Sequence, residues 1–157
     1  MSRSVWILAC VLAGCGEAPR EGVEPTAALT VEPDRVKVDH ILIAAKNGRM
    51  ARITRTKAEA GALARDLVAR LRAGTADFAA LKQEHSDDGD PSQPRGGPYT
   101  MVNHGVAGAE PPRVMRRDGM VPAFGDVSFH LAVGELGLAE MDDVTSPFGY
   151  HIIKRLE

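Results

Sequence analysis

The chain has 157 residues, 44% of them hydrophobic and 25% charged, with a formal net charge of −2. That length suits one domain with an appendage, and the near-balance of charge excludes the basic excess expected of a nucleic-acid-binding protein. Aromatic residues make up only 4%, so the core must be mainly aliphatic.

Residues 1–14 read as a leader rather than as part of the fold. "MSRS" carries one positive charge and "VWILACVL" is an apolar run, too short to span a bilayer as a helix, with small residues after it. Leu12-Ala13-Gly14-Cys15 is similar to the lipobox of bacterial lipoproteins, which implies cleavage before Cys15 and lipid on its thiol. Gly16 resembles the residue that follows the cysteine in lipoproteins sorted to the outer membrane. The expected location is therefore the cell envelope, facing the periplasm, with membrane contact through the N-terminal lipid. Cys10 goes with the leader and Cys15 takes the lipid, so no disulfide, thiolate metal site or cysteine nucleophile is expected in the domain. From Cys15 to residue 35 the chain is proline-bearing, has no aromatic residue and shows no periodicity, which reads as a flexible tether. Residues 36–157 form the domain, enough for one modest core.

The first element is "VKVDHILI", residues 36–43. A period of two places Val36, Val38, His40 and Leu42 on one face, with Lys37, Asp39, Ile41 and Ile43 on the other. Residues 44–55 carry Lys46, Arg49, Arg52 and Arg55 and read as a solvated basic loop. A helix is predicted over 56–72: Thr56 and Glu59 make a capping box, apolar residues recur at Ala60, Leu63, Leu67 and Leu71, and Gly74 stops it. Asp77 caps a second, short helix that buries Phe78 and Leu81 and ends near His85. A long Gly/Pro-rich stretch follows. Phe124, Val127 and Phe129 of "GMVPAFGDVSFHL" pack a short helix or turn, a weak strand lies around 138–145, and "GYHIIKRLE" is a strong strand. Strand, helices, loop, helix and two strands suit an α+β domain with a small antiparallel sheet.

Conventional catalytic signatures are absent. There is no G-x-S-x-G, no H-E-x-x-H and no Gly-rich phosphate loop. The five histidines, His40, His85, His104, His130 and His151, include no pair at metal-ligand spacing on one helix, so no metal is expected. Asp87, Asp88, Asp90 and Ser92 lack the glycine and glutamate of a calcium loop.

Six segments in order, "VDHILI", "RITRTKAEA", "GTADFAALKQEHSDD", "GGP", "GMVPAFGDVSFHL" and "FGYHIIKRLE", resemble the parvulin-type peptidyl-prolyl cis-trans isomerases over residues 36–157. The resemblance implies a four-stranded antiparallel sheet wrapped by about four helices, with the first and last strands as central neighbours. It implies a catalytic group of His40, Asp88, His151 and Ser146; on adjacent strands the two histidines could share a hydrogen bond across the sheet. Met120 and Phe124 match the residues that hold the substrate proline ring. Twisting a prolyl amide breaks no bond, so no cofactor is needed. Its barrier of about 20 kcal/mol comes from lost conjugation, and a dry pocket with placed polar groups lowers it.

The implied function is isomerisation of X-Pro bonds in exported proteins, by a monomer whose partners are unfolded or proline-containing polypeptides. The alternative is a catalytically weak or inactive chaperone or peptide-binding module of the same fold. The chain departs from the family pattern at Gly96-Gly97-Pro98-Tyr99-Thr100, where Gly-Gly-Asp-Leu-Gly is common, and the stretch after it is longer than usual. Arg49 stands where the phospho-specific branch carries a phosphate-binding arginine. Its paired arginine is missing, so no phosphate requirement is expected.

Overall fold

A computed structural model describes residues 31–46, 50, 52–89 and 96–157. The leader, Cys15, most of the tether, Arg49, Asp90 and Ser92 lie outside the described residues. The elements run β1 (Arg35–Ala44), α1 (Lys57–Arg72), α2 (Phe78–His85), β2 (Tyr99–Val102), β3 (Val114–Arg116), a 3-10 turn (Arg117–Gly119), α3 (Pro122–His130), β4 (Leu136–Ala139) and β5 (Gly149–Arg155).

The sheet has five strands in the order β3-β2-β1-β5-β4. All neighbours are antiparallel except β2 and β3, which run parallel. Among the described residues this corrects the expected four-stranded antiparallel sheet and about four helices to a five-stranded mixed sheet with three α-helices and one 3-10 turn. The long stretch after β2 is the cause. It leads the chain back through a turn in which Glu110 and Val114 exchange backbone hydrogen bonds, so Val114–Arg116 can add to the β2 edge in the same direction. The weak strand expected around 138–145 lies earlier, at Leu136–Ala139; Asp142 instead accepts the Val144 and Thr145 N–H groups in a turn.

Both faces of the central pair are covered. β1 and β5 align so that Ile41 stands opposite Ile152 and Leu42 opposite His151. Ile41, Ile43 and Ile152 meet Ala60, Ala64 and Leu67 of α1 and Phe78 and Leu81 of α2. Val36, Val38 and Ile153 meet Met101 and, from α3, Phe124 and Phe129. Strands buried on both faces read as continuous apolar runs rather than alternating ones, which explains "HILIAA" and "YHII".

The helix boundaries have local causes. Thr56 Oγ1 accepts the Glu59 N–H while the Glu59 carboxylate accepts the Thr56 N–H, the reciprocal box that was expected. Asp77 likewise accepts the Ala80 N–H to start α2, and Pro122 opens α3 where its missing donor costs nothing.

Candidate active site

The register builds the site. His40 on β1 and His151 on β5 are diagonal neighbours on the face that meets α3. Tyr99 on β2 stands opposite Val38 and so falls on that same face. Three adjacent strands thus present three rings in a row. Tyr99 stacks on His40 at 5.6 Å and 24°, and the His40 and His151 centroids are 5.6 Å apart. Phe124 of α3 closes the row edge-on, at 5.2 Å from His40, 5.4 Å from His151 and 6.2 Å from Tyr99.

A cavity of about 280 Å³ opens beside these rings, walled by Leu42, Met50, Met120, Val121 and Phe148 as well, with Asp88 at its edge. Its wall is mainly apolar with few polar groups, the usual makeup of a small-molecule or side-chain pocket.

The electrostatics are asymmetric. His40 Nε2 faces Asp88 Oδ2 at 3.1 Å. This hydrogen bond holds the Asp88 carboxyl below its usual range, against the opposing effect of burial. A nitrogen facing an ionised carboxylate carries the proton, so in the neutral ring Nδ1 is the bare nitrogen. His151 is different. Burial, reinforced by the neighbouring His40, lowers its pKa to about 3, with Asp88 opposing. It is therefore neutral at neutral pH. Neither His151 nitrogen nor His40 Nδ1 has a hydrogen-bond partner among the described residues. The two histidines are neighbours, but the expected hydrogen bond between them is not formed.

Asp88 is placed by the turn after α2. β2 covers the free edge of β1 only from Arg35 to Val38; farther along, the chain from Ser86 to Asp88 takes its place. Ser86 Oγ accepts the Leu42 N–H at 3.2 Å, the Asp87 N–H donates to the Leu42 carbonyl at 2.8 Å, and Asp87 Oδ2 accepts the Ala44 N–H at 2.8 Å. Arg55 pairs with the Asp87 carboxylate and Arg52 donates to the Asp87 carbonyl. The basic loop is thus partly structural, because two of its cations hold this turn. Opposite, Gly96 lies so close that a Cβ would sit 1.8 Å from Asp88 Oδ2. Gly97, at φ +83, turns the chain into β2.

The family model described as "PPIC-type PPIASE domain" matches residues 26–157. The chain belongs to this peptidyl-prolyl isomerase family, the parvulins. It is 39% identical over 118 residues to "Chaperone SurA" of Chromohalobacter salexigens, a match covering 75% of this chain and 21% of that protein. The chain therefore spans about a fifth of the length of that curated relative. "Peptidyl-prolyl isomerase ESS1 from Candida albicans" superposes with a TM-score of 0.53 at 22% identity, over 79% of this chain and 63% of that one, a likeness of fold.

Of the residues matched to the family pattern, His40, His151, Asp88, Met120 and Phe124 line one cavity. Ser146 is not among the residues that line it. It is fully buried, and its hydroxyl donates to the Gly149 carbonyl at 2.7 Å, which shapes the turn into β5. Tyr99 opens the second strand of the sheet, and in the sequence it marks only the divergent "GGPYT" segment, with no site role legible there. Asp87, Arg52 and Arg55 were also missed, since no periodicity marks a side chain that caps a strand edge. Among the described residues, no group of three or more His, Cys, Asp or Glu side chains is placed to hold a metal ion.

Proposed function

We propose that this domain accelerates cis-trans isomerisation of X-Pro bonds in polypeptide clients by a non-covalent twist of the prolyl amide. The observation that carries the reading is the cavity in which apolar walls from α3 and its preceding turn face His40, Asp88 and His151. Met120 and Phe124 hold the pyrrolidine ring. A planar amide separates more charge than a twisted one, so a dry pocket disfavours the ground state relative to the transition state. His151, neutral and without hydrogen-bond partners among the described residues, keeps that wall uncharged. The ionised Asp88, oriented by His40, supplies a fixed negative charge at the rim, where placed charge is worth more than in water. Ser146 contributes through the turn it buttresses and not by contact with the client.

The remaining assignments belong to the same proposal. The domain requires no phosphate before proline and no cofactor. It acts as a monomer held to the envelope membrane by lipid on Cys15, and incorporation of radiolabelled lipid into the wild type but not into Cys15→Ser tests that anchor. The decisive test of function is the rate of cis-to-trans conversion of an Ala-Pro peptide. A rate equal to the thermal one at saturating domain would overturn the enzymatic reading.

The 39% identity to a protein named as a chaperone favours one second reading: a module that grips client segments. Suppression of aggregation of a proline-free client, with no isomerase activity, would select it.

A further inference from the structure

A second cavity, of about 230 Å³, lies across Met120 from the proline pocket, and Met120 lines both. Arg117 forms part of its wall and is itself only 8% exposed. Burying a guanidinium costs several kcal/mol unless it is paired and hydrogen-bonded. Here the pairing is extensive. One terminal nitrogen donates to Glu32 Oε2 at 2.6 Å and to Asn103 Oδ1 at 2.9 Å; the other donates to Asp126 Oδ1 at 2.7 Å. The guanidinium lies 4.9 Å over the Phe129 ring. Asn103 closes the triangle, its amide donating to Glu32 Oε2 at 3.1 Å and to the Pro33 carbonyl at 3.1 Å.

Arg117 thereby joins the residues ahead of β1, the end of β2, the helix α3 and its own 3-10 turn. That turn ends at Met120, whose N–H donates to the Arg117 carbonyl at 3.0 Å. The helix carries Phe124, and Gly125 lies where the arginine stem crosses it: a Cβ there would be 3.0 Å from Arg117 Cγ. The two residues assigned to the proline ring are therefore held in relation to each other through one buried side chain.

We propose that Glu32 and Arg117 are a positioning pair for the proline pocket, so that the segment ahead of β1 is part of the working site and not only a tether. This rests on the isomerase reading. With Glu32 neutralised, Arg117 keeps Asp126 as its one carboxylate partner among the described residues and is drawn toward α3, and the turn carrying Met120 follows. Client binding weakens while His40, on β1, and Asp88, on the turn strapped to its edge, stay in place.

The test uses the full chain with Glu32→Gln, which preserves shape and removes charge. KM for an Ala-Pro peptide should rise at least threefold with kcat within twofold, and the Met120 methyl resonance should shift. Lys37→Gln, which removes the exposed pair to Glu157, should change neither. An unchanged KM in Glu32→Gln, a fall in kcat alone, or an equal rise in Lys37→Gln would overturn the proposal. If the wild type proves catalytically silent, the isomerase reading fails separately. Titration of the same peptide by NMR then decides: a threefold weaker Kd in Glu32→Gln supports the pair, and an equal Kd overturns it.

Discussion

His40 Nε2 and Asp88 Oδ2 lie 3.1 Å apart, one on a buried central strand and the other on a turn strapped along that strand's edge. The pairing keeps Asp88 ionised and fixes which His40 nitrogen carries the proton. Because the folded Asp88 pKa is lowered, its contribution to stability is present above the ordinary carboxylate pKa and is lost as pH falls through the folded value. Asp88→Asn should therefore lower Tm by an amount that is constant above about pH 5 and shrinks below about pH 4. A thermal-melt series across that range checks it, and kcat should fall in the same variant.

His151 gives a second, separable pH dependence. The folded ring binds its proton only near pH 3, whereas an unfolded histidine binds it near 6.5. Between those values the unfolded state holds more protons, so stability falls on acidification, by at most about 1.4 kcal/mol per pH unit. His151→Phe should flatten that slope between pH 6 and 4. Denaturant titrations of both proteins at those two pH values measure it.

Met120 and Phe124 should behave differently although both line the pocket. Phe124 is 2% exposed and is also part of the core, so Phe124→Ala should cost about 3–5 kcal/mol of stability as well as binding. Met120 is only partly buried. Met120→Ala should raise KM with little change in Tm, and steady-state kinetics beside a melt distinguishes the two.

The strap itself can be loosened. Asp87→Ala leaves the Ala44 N–H and Arg55 without their shared acceptor, at a cost of about 1.5–3 kcal/mol. It should also lower kcat, because Asp88 loses its anchor.

Gly96→Ala attacks the same carboxylate from the other side. Its Cβ would overlap Asp88 Oδ2, so the carboxylate must swing off His40. The expected loss is in kcat with KM nearly unchanged, and the His40 ring resonances should shift in NMR spectra.

Much of this was legible from sequence where side-chain pattern and backbone agree. His40 and His151 sit in apolar runs whose pairing follows from two strands buried on both faces, and Thr56, Glu59 and Asp77 announce their helices by local chemistry. The rest depends on contacts that carry no period. β3 forms because a long connection happens to return along β2, and Val114 looks like any loop valine. Asp87 and Asp88 are adjacent carboxylates with opposite tasks, one spent on backbone N–H groups and the other on a histidine. Ser146 faces a carbonyl of its own turn, a direction that no alignment of motifs reveals. Tyr99 stood in a segment that departs from the family pattern, yet it became the third ring of the row.

The pairing of β1 with β5 also sets an order of events. Residues from opposite ends of the described chain must meet before the row of rings exists, and contacts so distant in sequence form late and slowly. The cavity has no His151 wall until the last described strand has paired with β1.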